Sequence, residues 1–217
     1  MLRGNAMVQI VTDSSTMYTV EEGRKAGFEA TPLCVSVGDM EGRDLQVNME
    51  DFYARIGKGE IPRSSQPPVG DVMDVYEKYA GKKIINIAMA DGLSGTYQSA
   101  CGARESVDNK DDIIVFNSKT LCGPHRYMVD QAQQMKEDGA SVEEILAWLE
   151  KASNSTESFL IPQDFAFLKR GIHLLRPLVQ FVSLYGQGGK FMQGKTKAPP
   201  AWMVLLVRLK GCIHLTV

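Results

Sequence analysis

Lys83-Ile84-Ile85-Asn86-Ile87-Ala88-Met89-Ala90-Asp91-Gly92-Leu93-Ser94-Gly95-Thr96-Tyr97 is the stretch on which the fold turns. Residues 83–89 are short and mostly apolar without alternation, as expected of a strand buried on both faces of a parallel sheet. The glycine- and hydroxyl-rich segment 91–97 follows at once, and residues 94–107 read as a helix. A strand, a tight loop and a helix in this order form the repeating unit of an α/β domain.

The same unit recurs on either side. Downstream, residues 112–118 read as a second buried strand and residues 123–137 as a helix. Ser141 and Glu144 then form a capping box that introduces the stripe Val142, Ile145, Leu146 and Leu149. Upstream, residues 8–11 read as the first strand, ending in the polar turn Thr12-Asp13-Ser14-Ser15-Thr16. Residues 21–26 suggest a short helix stopped by Gly27, and residues 30–37 a single further strand. Asn48 caps a helix that carries Phe52 and Ile56 on one face. Residues 61–70 read as a loop because Pro62, Pro67 and Pro68 oppose regular pairing, and residues 71–79 return to helical spacing. The expectation is an α/β fold: a mainly parallel N-terminal sheet flanked by helices over residues 7–152, and an incomplete second α/β domain over 153–217.

Ligands of parallel sheets collect at the carboxyl ends of strands, which singles out the loops 12–16, 90–96 and 117–123. In the second of these, the glycines allow close backbone approach. The Ser94 and Thr96 hydroxyls, with N–H groups at a helix start, suit a carboxylate or phosphate. Ser94 as a simple helix cap is the competing reading. A serine hydrolase is the alternative enzyme reading, but the segment departs from Gly-x-Ser-x-Gly at Thr96. Its base would have to be His125, His173 or His214, with Asp13 as the attractive orienting carboxylate. The loop Arg63-Ser64-Ser65-Gln66-Pro67-Pro68 offers further hydroxyls on a proline-stiffened segment. Residues 189–196 match the phosphate-binding pattern Gly-x4-Gly-Lys-[Ser/Thr], which would make the chain a phosphotransferase. Pro199 and Pro200 fall inside the helix that such a loop requires, so the match reads as chance.

Charge and cysteine usage narrow the class. Cys34, Cys101, Cys122 and Cys212 are scattered without a Cys-x-x-Cys pair, unlike a zinc or dithiol site. No cofactor and no metal is implied. Residues 1–6 contain no apolar signal segment, and Met7 stands directly before the first strand as a candidate start. The apolar run 201–207 is much shorter than the roughly 20 residues a membrane span takes. Net charge is −2, yet no Asp or Glu follows Asp164. A basic end can bind nucleic acid, but this one has few interleaved aromatics, so no nucleic-acid partner is expected.

Taken together, Thr12-Asp13-Ser14-Ser15, Ser64-Ser65-Gln66-Pro67 and Gly92-Leu93-Ser94-Gly95-Thr96-Tyr97-Gln98-Ser99-Ala100 resemble the DegV family. Phe116-Asn117-Ser118-Lys119 is similar to its Asp-Ser turn, with Asn117 in place of the aspartate. Phe165-Ala166-Phe167-Leu168-Lys169-Arg170-Gly171 resembles the helix leading into its glycine-arginine turn. The resemblance implies a cytoplasmic two-domain α/β protein that is not an enzyme. A long-chain fatty acid would lie between the domains and be presented to a separate fatty acid kinase. It also implies that the carboxylate meets Ser64 (threonine in the usual motif) and Ser94. Gly95 and Thr96 would add donors, with Ser65 and Asp13 as neighbours. After Gly171 the likeness fades: the expected Gly-Gly-Arg turn reads Gly171-Ile172-His173. The change over residues 172–217 is what a shifted reading frame or a divergent end would produce. The second-domain arginine and histidine that would meet the head group have no counterpart that can be assigned here.

Overall fold

The computed structural model describes residues 8–161, 204–209 and 212–216. In chain order the elements are β1 (Val8–Asp13), α1 (Val20–Lys25), β2 (Glu29–Thr31), β3 (Cys34–Val37), β4 (Met40–Arg43) and α2 (Met49–Gly57). There follow β5 (Arg63–Ser65), α3 (Val69–Lys78), β6 (Lys83–Ala88), α4 (Thr96–Glu105), β7 (Ile113–Asn117), α5 (Cys122–Glu137) and α6 (Val142–Ser155). The strands β8 (Thr156–Ile161), β9 (Val204–Leu209) and β10 (Cys212–Thr216) close the series.

Four strands form an all-parallel sheet in the order β2-β1-β6-β7. The alternation of side chains along a strand explains why β6 has no polar face. Ile85 and Ile87 join Val8, Ile10 and Phe28 against Met128, Val129 and Ala132 of α5 and Ile145 and Leu149 of α6. Ile84 points the other way, with Val11 and Ile113, against Val72 and Tyr76 of α3 and Ala103 of α4. Helices therefore cover both faces, as an all-parallel sheet requires.

Local signals act as expected at several helix ends. Asn48 Oδ1 accepts from the Asp51 N–H, and Ser141 and Glu144 close their capping box. Thr19 and Glu22 form a second such box at the start of α1. Gly27 has φ +88°, with the Gln133 amide where a side chain would stand, so the turn after α1 needs glycine.

Two sequence expectations are corrected. Residues 30–37 are not one strand: Pro32 and Leu33 separate β2, in the parallel sheet, from β3, which belongs to a small antiparallel sheet in the order β4-β3-β5. Residues 61–70 are not all loop: Arg63–Ser65 pairs with β3 as an edge strand, Ser65 opposite Cys34 and Ser64 opposite Val35. Pro62 and Pro67 flank this strand without entering it, and edges tolerate such neighbours.

The third sheet, β10-β9-β8, is antiparallel. It follows α6 without a connecting loop, since Ser155 ends the helix and Thr156 begins β8. The segments 165–171 and 189–200 discussed above lie outside the described residues, as do Met7 and His173.

Candidate functional site

The strand order places the site. From β1 the chain first steps outward to β2, then returns on the other side of β1 to β6 and β7. The direction of winding reverses between β1 and β6, and such switch points open a crevice at the carboxyl ends of the strands. The loops leaving these two strands are Asp13–Ser15 and Ala90–Thr96, which hold two of the three segments singled out from the sequence.

Asp13 is buried and ties the two loops together. One carboxylate oxygen accepts the Ser15 N–H at 2.9 Å and the other the Met89 N–H at 2.9 Å. Thr16 Oγ1 donates back to the Asp13 carbonyl at 2.8 Å, closing the turn. Ser14 Oγ donates to Asp44 at 2.7 Å and accepts the Leu33 N–H.

Ser94 sits half-buried ahead of α4. Its hydroxyl accepts the Thr96 N–H at 3.2 Å and pairs with Thr96 Oγ1 at 2.8 Å. Gly95 is the N-cap residue, exposed, and Thr96 is buried as the first residue of α4. The first N–H groups of an α-helix have no partner within it and point out of its N-terminus. Gly95 and Ser94 lie at that end of α4, so the loop presents hydroxyls and main-chain donors together.

The Ser64–Pro67 segment reaches the same place from another sheet. The Gln66 side chain covers Gly95, with its amide oxygen 2.9 Å from where a Cβ would stand. Ser99 Oγ on α4 donates to the Pro67 carbonyl at 2.8 Å. Ser64 and Ser65 are exposed. The structure therefore brings the 63–67 and 92–99 segments into contact and sets Asp13 below them at the strand ends.

The loop after β7 locks onto the same edge. Ala88 O accepts the Ser118 N–H and Thr120 O accepts the Ala90 N–H, each at 2.9 Å. Cys122 begins α5 nearby, where burial pushes its thiol up and the Asp13 charge adds to that effect.

Two assignments of the hydrolase reading do not come together. The hydroxyl partner of Ser94 is Thr96, and His125 pairs instead with Ser15. Asp13 binds main-chain N–H groups and does not orient His125. Sequence reasoning missed the Ser15–His125 contact, although Ser15 lies in a quoted motif and His125 is one of three histidines. It also missed Thr120, whose Oγ1 lies 2.6 Å from Ser158 Oγ on β8. A cleft of about 250 Å³ opens beside β2, between Arg24, Glu29, Arg43 and Asp71. None of the six head-group candidates lines it.

These loops coincide with the segments that define a family. The sequence model of the DegV family, described as an uncharacterised protein, matches residues 7–174, and the chain belongs to that family. Protein DegV of Bacillus subtilis is 31% identical over 170 residues, covering 76% of this chain and 60% of the relative. The crystal structure of DegV from Bacillus subtilis, titled a fatty acid binding protein, superposes with a TM-score of 0.70 at 26% identity. That match covers 95% of this chain and 70% of the other. The Streptococcus pneumoniae fatty acid kinase (Fak) B3 protein, loaded with linoleic acid, superposes with a TM-score of 0.67 at 18% identity, over 97% of this chain and 72% of the other. The latter likeness is one of fold. The chain thus spans about 60% of the length of the curated relatives it matches. No helix among the described residues is long and apolar enough to cross a membrane.

Proposed function

We propose that this chain binds a long-chain fatty acid through its carboxylate and presents it to a separate fatty acid kinase in the cytoplasm, without catalysing a reaction of its own. The observation that carries the reading is the convergence of Ser94, Gly95 and Thr96, at the start of α4, with the Ser64–Gln66 strand end packed against Gly95. In this reading Ser64 and Ser94 donate to the carboxylate, and Gly95 and Thr96 add main-chain or hydroxyl donors. Ser65 lies alongside, and Asp13 fixes the turn beneath. Charge-assisted hydrogen bonds of this kind are the stronger ones.

The names of the relatives support the same reading: one is a fatty acid binding protein and another is a fatty acid kinase component loaded with linoleic acid. Residues 7–152 form the head-group side, and the acyl chain runs from it into an apolar tunnel. Each methylene removed from water there contributes about 0.8 kcal/mol, so a small set of hydroxyls suffices to fix orientation. Activation of the nucleotide belongs to the partner.

Denaturing mass spectrometry of an organic extract of the purified chain tests this. A long-chain fatty acid near one equivalent, depleted in Ser94→Ala, is the expected result. A well-folded preparation that carries no lipid, and takes up none when supplied with it, overturns the proposal.

A further inference from the structure

β2 is an edge strand of the parallel sheet, and the cleft of about 250 Å³ beside it belongs to none of the head-group loops. Its apolar wall is Val20 of α1, Ala30 and Pro32 at β2, and Val75 of α3. Arg24 from α1 and Arg43 from β4 line it together, with Glu29 and Asp71 as their carboxylate partners. An apolar wall with a few convergent polar groups is the usual form of a small-molecule site.

These polar groups are held in place, and one of them has donors to spare. The Glu29 side chain is 2% exposed and accepts from Lys78 and the Tyr79 hydroxyl as well as from Arg24. Arg24 reaches it through Nε alone, at 3.0 Å and 3.3 Å. The two terminal nitrogens of its guanidinium make no hydrogen bond among the described residues. Arg43 is anchored from two sides: Nη2 lies 2.9 Å from Asp71, and Nη1 donates to Cys34 Sγ at 2.8 Å. Arg24, Lys78 and Arg43 set against Glu29 and Asp71 leave one positive charge. The terminal edge of a guanidinium matches two oxygens of a carboxylate or a phosphate.

We propose that this cleft is a second ligand site, which takes a small carboxylate or phosphate monoester with a compact apolar body. The oxyanion lies on the terminal nitrogens of Arg24, with the charge of Arg43 beside it, and the body lies against Val20, Ala30, Pro32 and Val75. The volume corresponds to roughly eight water molecules at about 30 Å³ each. That is room for one ring or a short chain and not for a long acyl tail. A long-chain fatty acid therefore belongs elsewhere, and the inference does not rest on the carrier reading.

The test titrates the isotope-labelled full chain with benzoate and with phenyl phosphate, read by NMR of the amides and the arginine side chains. Benzyl alcohol is the uncharged counterpart. For at least one anion, saturable shifts are expected at residues 20–32, 43–46 and 71–75 and at the Arg24 Nε–H; the tighter of the two assigns the oxyanion. Benzyl alcohol is expected to bind at least about tenfold more weakly, the scale of one charge-assisted hydrogen bond. Arg24→Lys keeps a cation for Glu29 and removes the terminal fork, so it is expected to lose about tenfold in affinity, as is Arg24→Gln. Should neither variant fold, the wild-type titration with its uncharged control decides. No saturable shift for either anion at millimolar concentration overturns the proposal. So do shifts at residues 64–66 and 94–96 in place of the cleft, benzyl alcohol binding as tightly as the anions, or affinities unchanged in both folded variants. Absence of co-purified lipid would count against the carrier reading alone.

Discussion

Asp13 carries two roles that a single substitution separates. Its carboxylate satisfies two N–H groups just past the ends of β1 and β6, the half-buried Ser15 and the buried Met89. Asp13→Ala leaves both unpaired and is expected to cost about 2–6 kcal/mol in urea unfolding, at about 1–3 kcal/mol for each group orphaned. Asp13→Asn keeps one acceptor and costs less. Gly95 is the converse case. A methyl group there meets only the flexible end of Gln66, so Gly95→Ala is expected to change stability by less than about 1 kcal/mol, while the same extract carries clearly less lipid. A variant as lipid-rich as wild type would move the head group away from this loop. Both residues stand in segments whose composition announced a site. Their partners were not legible: Met89 is 76 positions from Asp13 and His125 is 110 from Ser15. Those contacts depend on strand order, which local spacing does not encode.

Elements show the same division between local signals and tertiary context. Residues 83–89 were recognisable as a buried strand because both faces are apolar, and the caps at Asn48 and Ser141 lie within three residues of what they cap. The division of residues 30–37 was not, because a strand that leaves one sheet for another keeps its apolar character across the break. β2 repays attention for its charge. Glu29 is buried, and burial alone would raise its carboxyl pKa. Hydrogen bonds from Lys78, from Tyr79 at 2.8 Å and from Arg24 at 3.0 Å outweigh this and hold it below the usual range. The folded pKa is depressed, so this contribution is present above the ordinary carboxylate range and disappears as pH falls through the folded value. Glu29→Gln is expected to lose about 2 kcal/mol near neutrality, and to unfold with less dependence on pH on the acid side than wild type. Urea curves at a series of pH values read both. The small sheet β4-β3-β5 and α2 stand at the other extreme. No residue of α2 is buried, and Ser64 and Ser65 are exposed. Amides of residues 34–57 are therefore expected to exchange hydrogen before those of β1, β6 and β7, since local opening follows shallow burial.

At the scale of the molecule, one contact between the first and third sheets runs through the loop after β7. Thr120 Oγ1 meets Ser158 Oγ on β8, while the Thr120 carbonyl accepts the Ala90 N–H. Thr120→Val removes the hydroxyl pair and keeps the main-chain bond. It is expected to cost about 1 kcal/mol, seen as a lower thermal midpoint, with the β1/β6 end of the sheet unaltered in its amide spectrum. An unchanged midpoint would show that this contact does not couple the sheets. The first sheet was legible as a whole because each of its units repeats one local pattern. The last was not, since β8 pairs with β9 across residues 162–203, a separation that local spacing does not encode.

The tie that Asp13 makes between the ends of β1 and β6 also bears on how a ligand would come and go under the carrier proposal. With Pro67 fastened to Ser99 and Ala90 to Thr120, the crevice is cross-linked before anything enters it. Little conformational freedom is then left to surrender on occupancy, and ordering of loops adds little to the cost of binding. On the carrier proposal, exchange of a lipid with its surroundings would be governed by the partition of the acyl tail between two apolar environments, with the 13–15, 63–67 and 92–99 segments as a fixed socket.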